Sequence, residues 1–239
     1  MNSSANIKRL VKDVANMHKD PLTNDGIFYI HDDTNMMKGY AMIIGPTDTP
    51  YEYGFFFFTF QFPPNYPHSP PLVTYKTNDG YTRYNPNFYR NGKVCLSILN
   101  TWRGEGWTSC QTIRSILLTL MTTLNEKPLL NEPGIKETSD DVQKYNEIIE
   151  YKSLRFAHLD VLKNMDCIEK NTIFTMFRPF MIEYTEKHYE NILDKIKTLS
   201  EIKKNKVCRN VYCNTYNIGI NIDYVSLVEK YKNFQIPDK

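Results

Sequence analysis

Thiols are the side chains of this sequence best suited to covalent chemistry. The chain contains five cysteines, at positions 95, 110, 167, 208 and 213. An odd count behind a polar N-terminus is typical of reduced thiols in a cytosolic or nuclear protein. Four residues separate Cys208 from Cys213, and no Cys or His follows them at the spacing of zinc ligands. We therefore expect free thiols rather than a metal site, and no cofactor.

Cys95 lies in a long irregular stretch, Thr77 to Gly106, which contains Asn85-Pro-Asn87. Loops of this length inside a compact domain are uncommon and are usually functional. A thiol there is either a reactive group or a small apolar side chain of the core. No His lies near it along the chain, so a nucleophile–base pair is not evident.

A helix and a sheet must position this loop. Apolar residues at helical spacing predict an amphipathic helix over Asn6–Lys19. Short apolar runs between turn-rich segments then predict four strands: Gly26–His31, Lys38–Gly45, Gly54–Phe62 and Leu72–Lys76. Short connections between them favour an antiparallel meander. Because a strand alternates faces, two residues of Phe55–Phe58 should enter the core and two should lie beneath a helix or extension.

Helices are predicted for most of the remaining chain. Apolar spacing indicates a central helix over Thr108–Asn125, in which Thr108 and Gln111 form a capping box. Further helices are expected at Ser139–Asn164, Pro179–Lys204 and Tyr224–Phe234. The expected architecture is α+β: an N-terminal helix, a four-stranded antiparallel meander, central and C-terminal helices, and an extra helical C-terminal extension.

Charge and hydropathy argue against two classes of function. The 29 basic and 27 acidic side chains leave a net charge of +2, which does not suit a nucleic-acid binder that relies on phosphate neutralisation. The chain has no uninterrupted apolar run of about 18 residues, so we expect no membrane span. Its abundance of Asn, Ile, Lys and Tyr is typical of AT-rich genomes, including those of some protists and large DNA viruses.

Four motifs, in order along the chain, resemble those of ubiquitin-conjugating enzymes. They are Gly45-Pro-Thr-Asp-Thr-Pro-Tyr-Glu-Tyr-Gly54, Phe62-Pro-Pro-Asn-Tyr-Pro-His-Ser-Pro-Pro71, Asn85-Pro-Asn-Phe-Tyr-Arg-Asn-Gly-Lys-Val-Cys-Leu-Ser-Ile-Leu99 and Trp107. The resemblance covers roughly residues 6 to 160. The run Arg90–Leu99, the longer loop Asn100–Gly106 and Asn131-Glu-Pro-Gly134 are most similar to the large Z-type branch. The resemblance implies a catalytic domain over residues 1–165, followed by an extension over residues 166–239.

The resemblance implies that Cys95 carries ubiquitin as a thioester. The lack of a nearby His fits a carrier, since the incoming acyl group is already activated. Asn87 matches the Asn of the family's His-Pro-Asn triplet; its amide either donates to the oxyanion formed during transfer or braces the loop. Asn85 replaces the usual His, as in the Z-type branch. Glu132 is expected to orient the acceptor amine, or is a solvated carboxylate, and Ser97 is a secondary candidate.

The partners implied are ubiquitin or a related modifier, a ubiquitin-activating enzyme, and RING or HECT ligases. Lys8, Arg9 and Lys12 would meet an acidic groove of the activating enzyme, or form an ordinary solvated helix face. His68 and Cys110 replace residues that contact ligases in relatives. The resemblance also implies that the activating enzyme consumes the ATP, and this sequence has no phosphate-cradling glycine loop. We expect a cytosolic or nuclear location, in the host cytoplasm if the chain is viral.

Two other functions remain open on the sequence. A non-catalytic ubiquitin-binding adaptor of the same fold would lack the active cysteine, whereas Cys95 is present. A cysteine hydrolase would need a His-containing dyad. The extension has apolar residues at helical spacing, and an isolated amphipathic helix is marginal in water. We therefore expect the extension to pack on the catalytic domain, away from Cys95.

Overall fold

The computed structural model describes residues 3–164 and 172–237. Its helices are α1 (Ser3–Lys19), α2 (Ile113–Thr123), α3 (Asp140–Lys152), α4 (Val161–Lys163), α5 (Thr172–Glu201) and α6 (Tyr224–Lys232). A π-helical segment, Ser153–Asp160, joins α3 to α4. The strands are β1 (Ile27–His31), β2 (Lys38–Ile44), β3 (Phe55–Gln61), β4 (Leu72–Tyr75), β5 (Arg209–Cys213) and β6 (Ile218–Ile222). Within these ranges, no helix combines the length and the apolar character that crossing a bilayer requires.

Strands β1 to β4 form an antiparallel sheet in chain order, which confirms the predicted meander and the α+β class. Each predicted strand boundary agrees with the structure to within one residue. The register places Phe28 opposite Met42, and Met42 opposite Phe57. Because side chains of one strand alternate between faces, these three residues share a face of the sheet.

The phenylalanines Phe55–Phe58 of β3 link the two layers that cover the sheet. All four are 0% exposed. On one face, the ring of Phe58 lies 5.2 Å from that of Phe88, in the loop before Cys95. On the other face, the ring of Phe57 lies 5.9 Å from that of Phe177 in α5. The predicted alternation is confirmed, and the second face is covered by the C-terminal extension.

Helix α2 begins at Ile113, after an irregular segment over residues 108–111. Its cap is Thr112, whose hydroxyl accepts from the main-chain N–H of Ser115 at 3.2 Å, while the Ser115 hydroxyl accepts from the Thr112 N–H at 2.9 Å. The capping box predicted within residues 108–111 is therefore wrong. Arg9 of α1 donates to two main-chain carbonyls of that segment, at 2.7 and 2.8 Å, and these carbonyls are then not used in a helix.

Helix α5 begins at Thr172, so Pro179 lies inside the helix rather than at its predicted start. A proline in a helix interior removes one main-chain hydrogen bond and usually bends the helix. The residues around it, Phe177, Met181 and Ile182, are 0% exposed. Packing of this apolar stripe therefore offsets the cost of the proline.

The extension also contains a β-hairpin, β5–β6, that the sequence analysis did not predict. The two strands pair antiparallel, with Val211 opposite Ile220 and Cys213 opposite Ile218. These four side chains are buried, and β5 contacts α3. The described chain after residue 172 is therefore helical with one hairpin, and this hairpin packs on α3.

His158 connects the π-helical segment to the extension. It is 0% exposed, its Nδ1 lies 2.8 Å from the Tyr231 hydroxyl, and its Nε2 lies 3.2 Å from the Thr185 hydroxyl. The Tyr231 hydroxyl also donates to the Leu154 carbonyl, and the Thr185 hydroxyl to the Met181 carbonyl, at 2.8 and 2.7 Å. The ring also stacks on Phe55, with centroids 5.1 Å apart. Burial lowers the pKa of His158 to about 3, so the ring is neutral in the folded protein.

This pKa predicts that acid destabilises the fold. In the unfolded chain a histidine has a pKa of about 6.5, so between pH 6.5 and 3 the unfolded state binds a proton that the folded state does not. The stabilisation is complete above that range and is lost as the pH falls, by about 2 kcal/mol between pH 7 and pH 5. Urea unfolding at both pH values measures it. His158→Gln should show a smaller change over the same interval; an equal change would contradict the assignment to His158.

Candidate active site

The segment before Cys95 folds back on itself and is anchored on β4. Phe88 forms a β-bridge with Val94. Gly92 closes the turn with a φ of +87°, and a Cβ on it would lie 2.8 Å from a side-chain methyl of β4, so only glycine fits there. The chain thereby returns to Asn87, whose carbonyl accepts from the Cys95 N–H at 2.8 Å.

Asn85 anchors this loop in the core. It is 0% exposed, and its amide donates to the Tyr51 hydroxyl and to the Thr123 carbonyl, both at 2.8 Å. Its Oδ1 accepts from the Asn87 N–H at 2.8 Å. The asparagine that replaces the family's usual histidine therefore uses its whole amide to hold the loop.

Asn87 is hydrogen-bonded to the main chain of Cys95 in both directions. In addition to the bond that its carbonyl accepts, its Nδ2 donates to the Cys95 carbonyl at 2.8 Å. This bond braces the loop. A side-chain amide carries two N–H donors, and the described residues supply one acceptor. The second donor remains for an oxyanion, so the geometry accommodates both interpretations of Asn87.

Cys95 is 2% exposed. Within the described ranges, its thiol has no hydrogen-bond partner that could serve as a base, and no group of three or more His, Cys, Asp and Glu side chains is placed to hold a metal ion. Thr101 fixes the chain on both sides of Cys95, since its hydroxyl donates to the Val94 carbonyl at 2.8 Å and accepts from the Leu96 N–H at 2.9 Å. The site therefore holds the thiol in a hydrogen-bonded loop, with no base beside it among the described residues.

Ser97 begins the 3-10 turn Ser97–Leu99 that follows Cys95. Its side chain is half-buried. Gly104, with a φ of +129°, approaches it so closely that a Cβ would lie 3.1 Å from the Ser97 Cβ. The longer loop 100–106 therefore passes close to Ser97, and among the described residues the Ser97 hydroxyl has no hydrogen-bond partner.

Glu132 lies beside the Asn85–Asn87 loop. The segment around it is tied to that loop because Asn131 and Asn85 donate to the same carbonyl, that of Thr123, at 3.2 and 2.8 Å. Glu132 is half-buried, and its Oε2 lies 3.7 Å from the guanidinium of Arg83. The carboxylate is therefore partly exposed and has a cation on one side.

Two residues of this site, Arg83 and Tyr216, were missed by the sequence analysis. The Arg83 guanidinium donates to the Pro86 carbonyl at 2.5 Å and lies 3.8 Å from the centre of the Tyr89 ring and 4.5 Å from that of Tyr216. The Tyr216 hydroxyl donates to Glu132 Oε2 at 2.5 Å. Tyr216 belongs to the extension, so this part of it lies nearer the site than expected. No local motif signals a contact between residues 84 positions apart.

The three basic residues predicted to contact the activating enzyme differ in exposure. Lys8 and Lys12 of α1 are exposed. Arg9 is half-buried, pairs with Asp13 at 3.0 Å, and bonds the segment before α2. Arg9 therefore holds α1 in place, and Lys8 and Lys12 are the cations left for a partner.

The two predicted ligase-contact residues lie on loops that the structure joins. His68 and Cys110 are both exposed. Between them, the Trp107 indole N–H donates to the Pro67 carbonyl at 2.6 Å, and its ring lies 5.9 Å from that of Tyr66. Trp107 thus packs as a structural link between the two loops.

Comparison with known proteins agrees with this geometry. The family model described as "Ubiquitin-conjugating enzyme" matches residues 9–153, which include the sheet, the Cys95 loop and Glu132. The chain belongs to the ubiquitin-conjugating enzyme family.

Its relatives include members of the Z-type branch. The chain is 41% identical to "Ubiquitin-conjugating enzyme E2 Z" of Danio rerio over 190 residues, 78% of this chain and 56% of the relative. It is 44% identical to the Homo sapiens E2 Z over 158 residues, 65% of this chain and 44% of the relative. It is 34% identical over 209 residues to the Mus musculus "Dual E2 ubiquitin-conjugating enzyme/E3 ubiquitin-protein ligase BIRC6", 81% of this chain and 4% of the relative. The chain thus spans about half the length of the E2 Z proteins that it matches.

Proposed function

We propose that this chain accepts ubiquitin, or a related modifier, from an activating enzyme as a thioester on Cys95 and passes it to a substrate lysine or a ligase cysteine. In charging, the Cys95 thiolate attacks the thioester carbonyl on the activating enzyme, and the C–S bond to that enzyme's cysteine breaks. In discharge, an amine or thiolate attacks the new carbonyl and Cys95 leaves as a thiolate. Neither step needs a metal or a redox partner.

The observation that carries this proposal is the placement of Cys95 within the matched family region. Its main chain is bonded to Asn87 in both directions, and its thiol has no base among the described residues. A hydrolase needs an activated nucleophile, whereas a carrier receives an activated acyl group and should lose it slowly to water. Nothing in the comparisons favours the non-catalytic adaptor.

The side chains around Cys95 have separate proposed roles. Asn87 donates one N–H to the Cys95 carbonyl and the other to the oxyanion that forms on the modifier's carbonyl. Glu132 accepts from the incoming amine and orients it. A free lysine has a pKa of about 10.4, and partial desolvation of the amine at the site lowers that pKa. The contribution of Glu132 is to orient the amine, because a carboxylate by itself favours the charged ammonium form. Ser97 supports the loop that encloses the site.

The proposed partners act at different surfaces. The exposed Lys8 and Lys12 attract an acidic groove of the activating enzyme, which mainly raises the rate of encounter. The surface around His68 and Cys110 meets RING or HECT ligases. We assign the catalytic domain to residues 1–165 and the extension, packed on it, to residues 166–239. We also propose a location in the cytosol or nucleus, where thiols stay reduced.

A charging assay tests the function. The chain is incubated with activating enzyme, ATP and ubiquitin, and the products are separated with and without dithiothreitol. We expect an adduct of one ubiquitin that dithiothreitol removes. No adduct with any member of a panel of activating enzymes and modifiers would overturn the proposal, and that panel also identifies the preferred modifier.

A further inference from the structure

The turn of the β5–β6 hairpin is fixed on the N-terminus of α3. Asp141 accepts four hydrogen bonds from it: from the N–H and the amide of Asn214, at 3.2 and 3.1 Å, and from the N–H and the hydroxyl of Thr215, at 2.8 and 2.7 Å. Burial alone would raise the pKa of this carboxyl, but the bonds from Thr215 and Asn214 outweigh it and lower the pKa. The turn is therefore held by a charged acceptor at neutral pH.

The next residue of the turn, Tyr216, is half-buried and is held by four neighbouring residues. Its carbonyl accepts from Arg90 at 3.1 Å, and its ring lies 5.6 Å from that of Tyr145 and against the Arg83 guanidinium. Its hydroxyl donates to Glu132. Burial first, and then the bond to Glu132, raise the pKa of Tyr216, so the hydroxyl remains a donor throughout the working pH range.

The Glu132 carboxylate is bound asymmetrically. Tyr216 and Arg83 both approach Oε2, at 2.5 and 3.7 Å. In the part of the chain that the structure describes, Oε1 has no hydrogen-bond partner. One oxygen is thus fixed, and the other is left to accept a hydrogen bond from a substrate.

Arg83 connects this carboxylate to the transfer site. Its guanidinium donates to the carbonyl of Pro86, the residue before Asn87, and also faces Glu132. A fixed Glu132 is therefore fixed relative to Asn87 and to the main chain of Cys95.

We propose that Tyr216, supplied by the C-terminal extension, is a positioning residue for transfer to amines: its hydroxyl fixes Glu132 so that the free carboxylate oxygen orients the acceptor. The proposal rests on the proposed function of Glu132. It makes the extension part of the active site rather than only a cover for the sheet.

Tyr216→Phe is the direct test, because it removes the hydroxyl and keeps the ring on Arg83. Loss of one hydrogen bond to a charged group lowers the rate of a step that depends on it by about tenfold. We expect the ratio of the rate of discharge to free lysine over the rate of charging to fall by about that factor, through kcat rather than the KM for lysine. Tyr212→Phe is the matched control, since its exposed hydroxyl on the same hairpin contacts only Asn217 among the described residues.

A double-mutant cycle shows whether Tyr216 acts through Glu132. If it does, adding Tyr216→Phe to Glu132→Gln should slow discharge by less than twofold more, because the group it positions has already changed. Additive losses, or a fall in charging as large as that in discharge, would overturn the proposal. If Tyr216→Phe discharges to lysine at the wild-type rate, the proposal for Tyr216 is wrong. The proposed role of Glu132 would still hold in that case, provided that Glu132→Gln discharges slowly. If Glu132→Gln discharges normally, the role of Glu132 itself is wrong.

Discussion

Cys95→Ser should form a ubiquitin adduct that survives dithiothreitol, and Cys95→Ala should form none. Serine places a hydroxyl where the thiol lies, so the acyl group is carried as an oxyester, which thiols exchange slowly. Alanine leaves no nucleophile at the end of the Asn87-bonded loop. The measurement is the charging assay on gels with and without reductant, with thermal unfolding to show that the buried position tolerates each change.

Cys208→Ala is the control for this prediction. Cys208 is also a free thiol, but it is exposed and lies in the extension, just before β5. Its loss should leave charging unchanged. Full charging of Cys95→Ala would contradict the assignment and would place the carrier on another thiol, such as the exposed Cys110.

The sheet could be predicted from sequence because its signals are local. Each strand is a short apolar run, and the connections between strands contain proline, glycine or asparagine. Alternation along β3 also predicted that Phe55–Phe58 divide between two covered faces, which the structure places against the loop before Cys95 and against α5. The prediction was wrong where a distant residue decides a local conformation: Arg9 binds two carbonyls of the segment before α2, and this moves the start of that helix to Ile113.

The hairpin β5–β6 had a local signal that was not used. Val211 and Cys213, and likewise Ile218, Ile220 and Ile222, alternate with more exposed residues, which is the period of a half-buried strand. The asparagine-rich segment between them is typical of a turn. This alternation indicates a strand pair, which a helical period does not describe.

The residues of the candidate site likewise include some with a local sequence signal and some without one. Cys95, Asn87 and Glu132 could be proposed because they stand within motifs. Tyr216 could not, since its contact with Glu132 depends on how the extension docks, through Asp141, on α3. Arg9 was predicted as a partner contact from its charge, yet its donors are used within the fold.

Asn87→Ala should slow discharge to free lysine by about 10²- to 10³-fold, with charging less affected. The amide Nδ2 has one donor on the Cys95 carbonyl and one available for the oxyanion of the tetrahedral intermediate. Attack by an amine depends strongly on stabilising that oxyanion. Single-turnover discharge of a purified thioester measures this step separately from charging.

The bracing role of Asn87 predicts a different pattern, and Asn91→Ala provides the comparison. The Asn91 side chain accepts from the Lys93 N–H at 3.0 Å, so it braces the same fold-back turn without touching the main chain of Cys95. Loss of a brace should lower the melting temperature and slow both steps in similar proportion. If Asn87→Ala behaves in that way, its amide supports the loop only; if discharge falls far more than charging and the melting temperature changes no more than in Asn91→Ala, the amide stabilises the oxyanion.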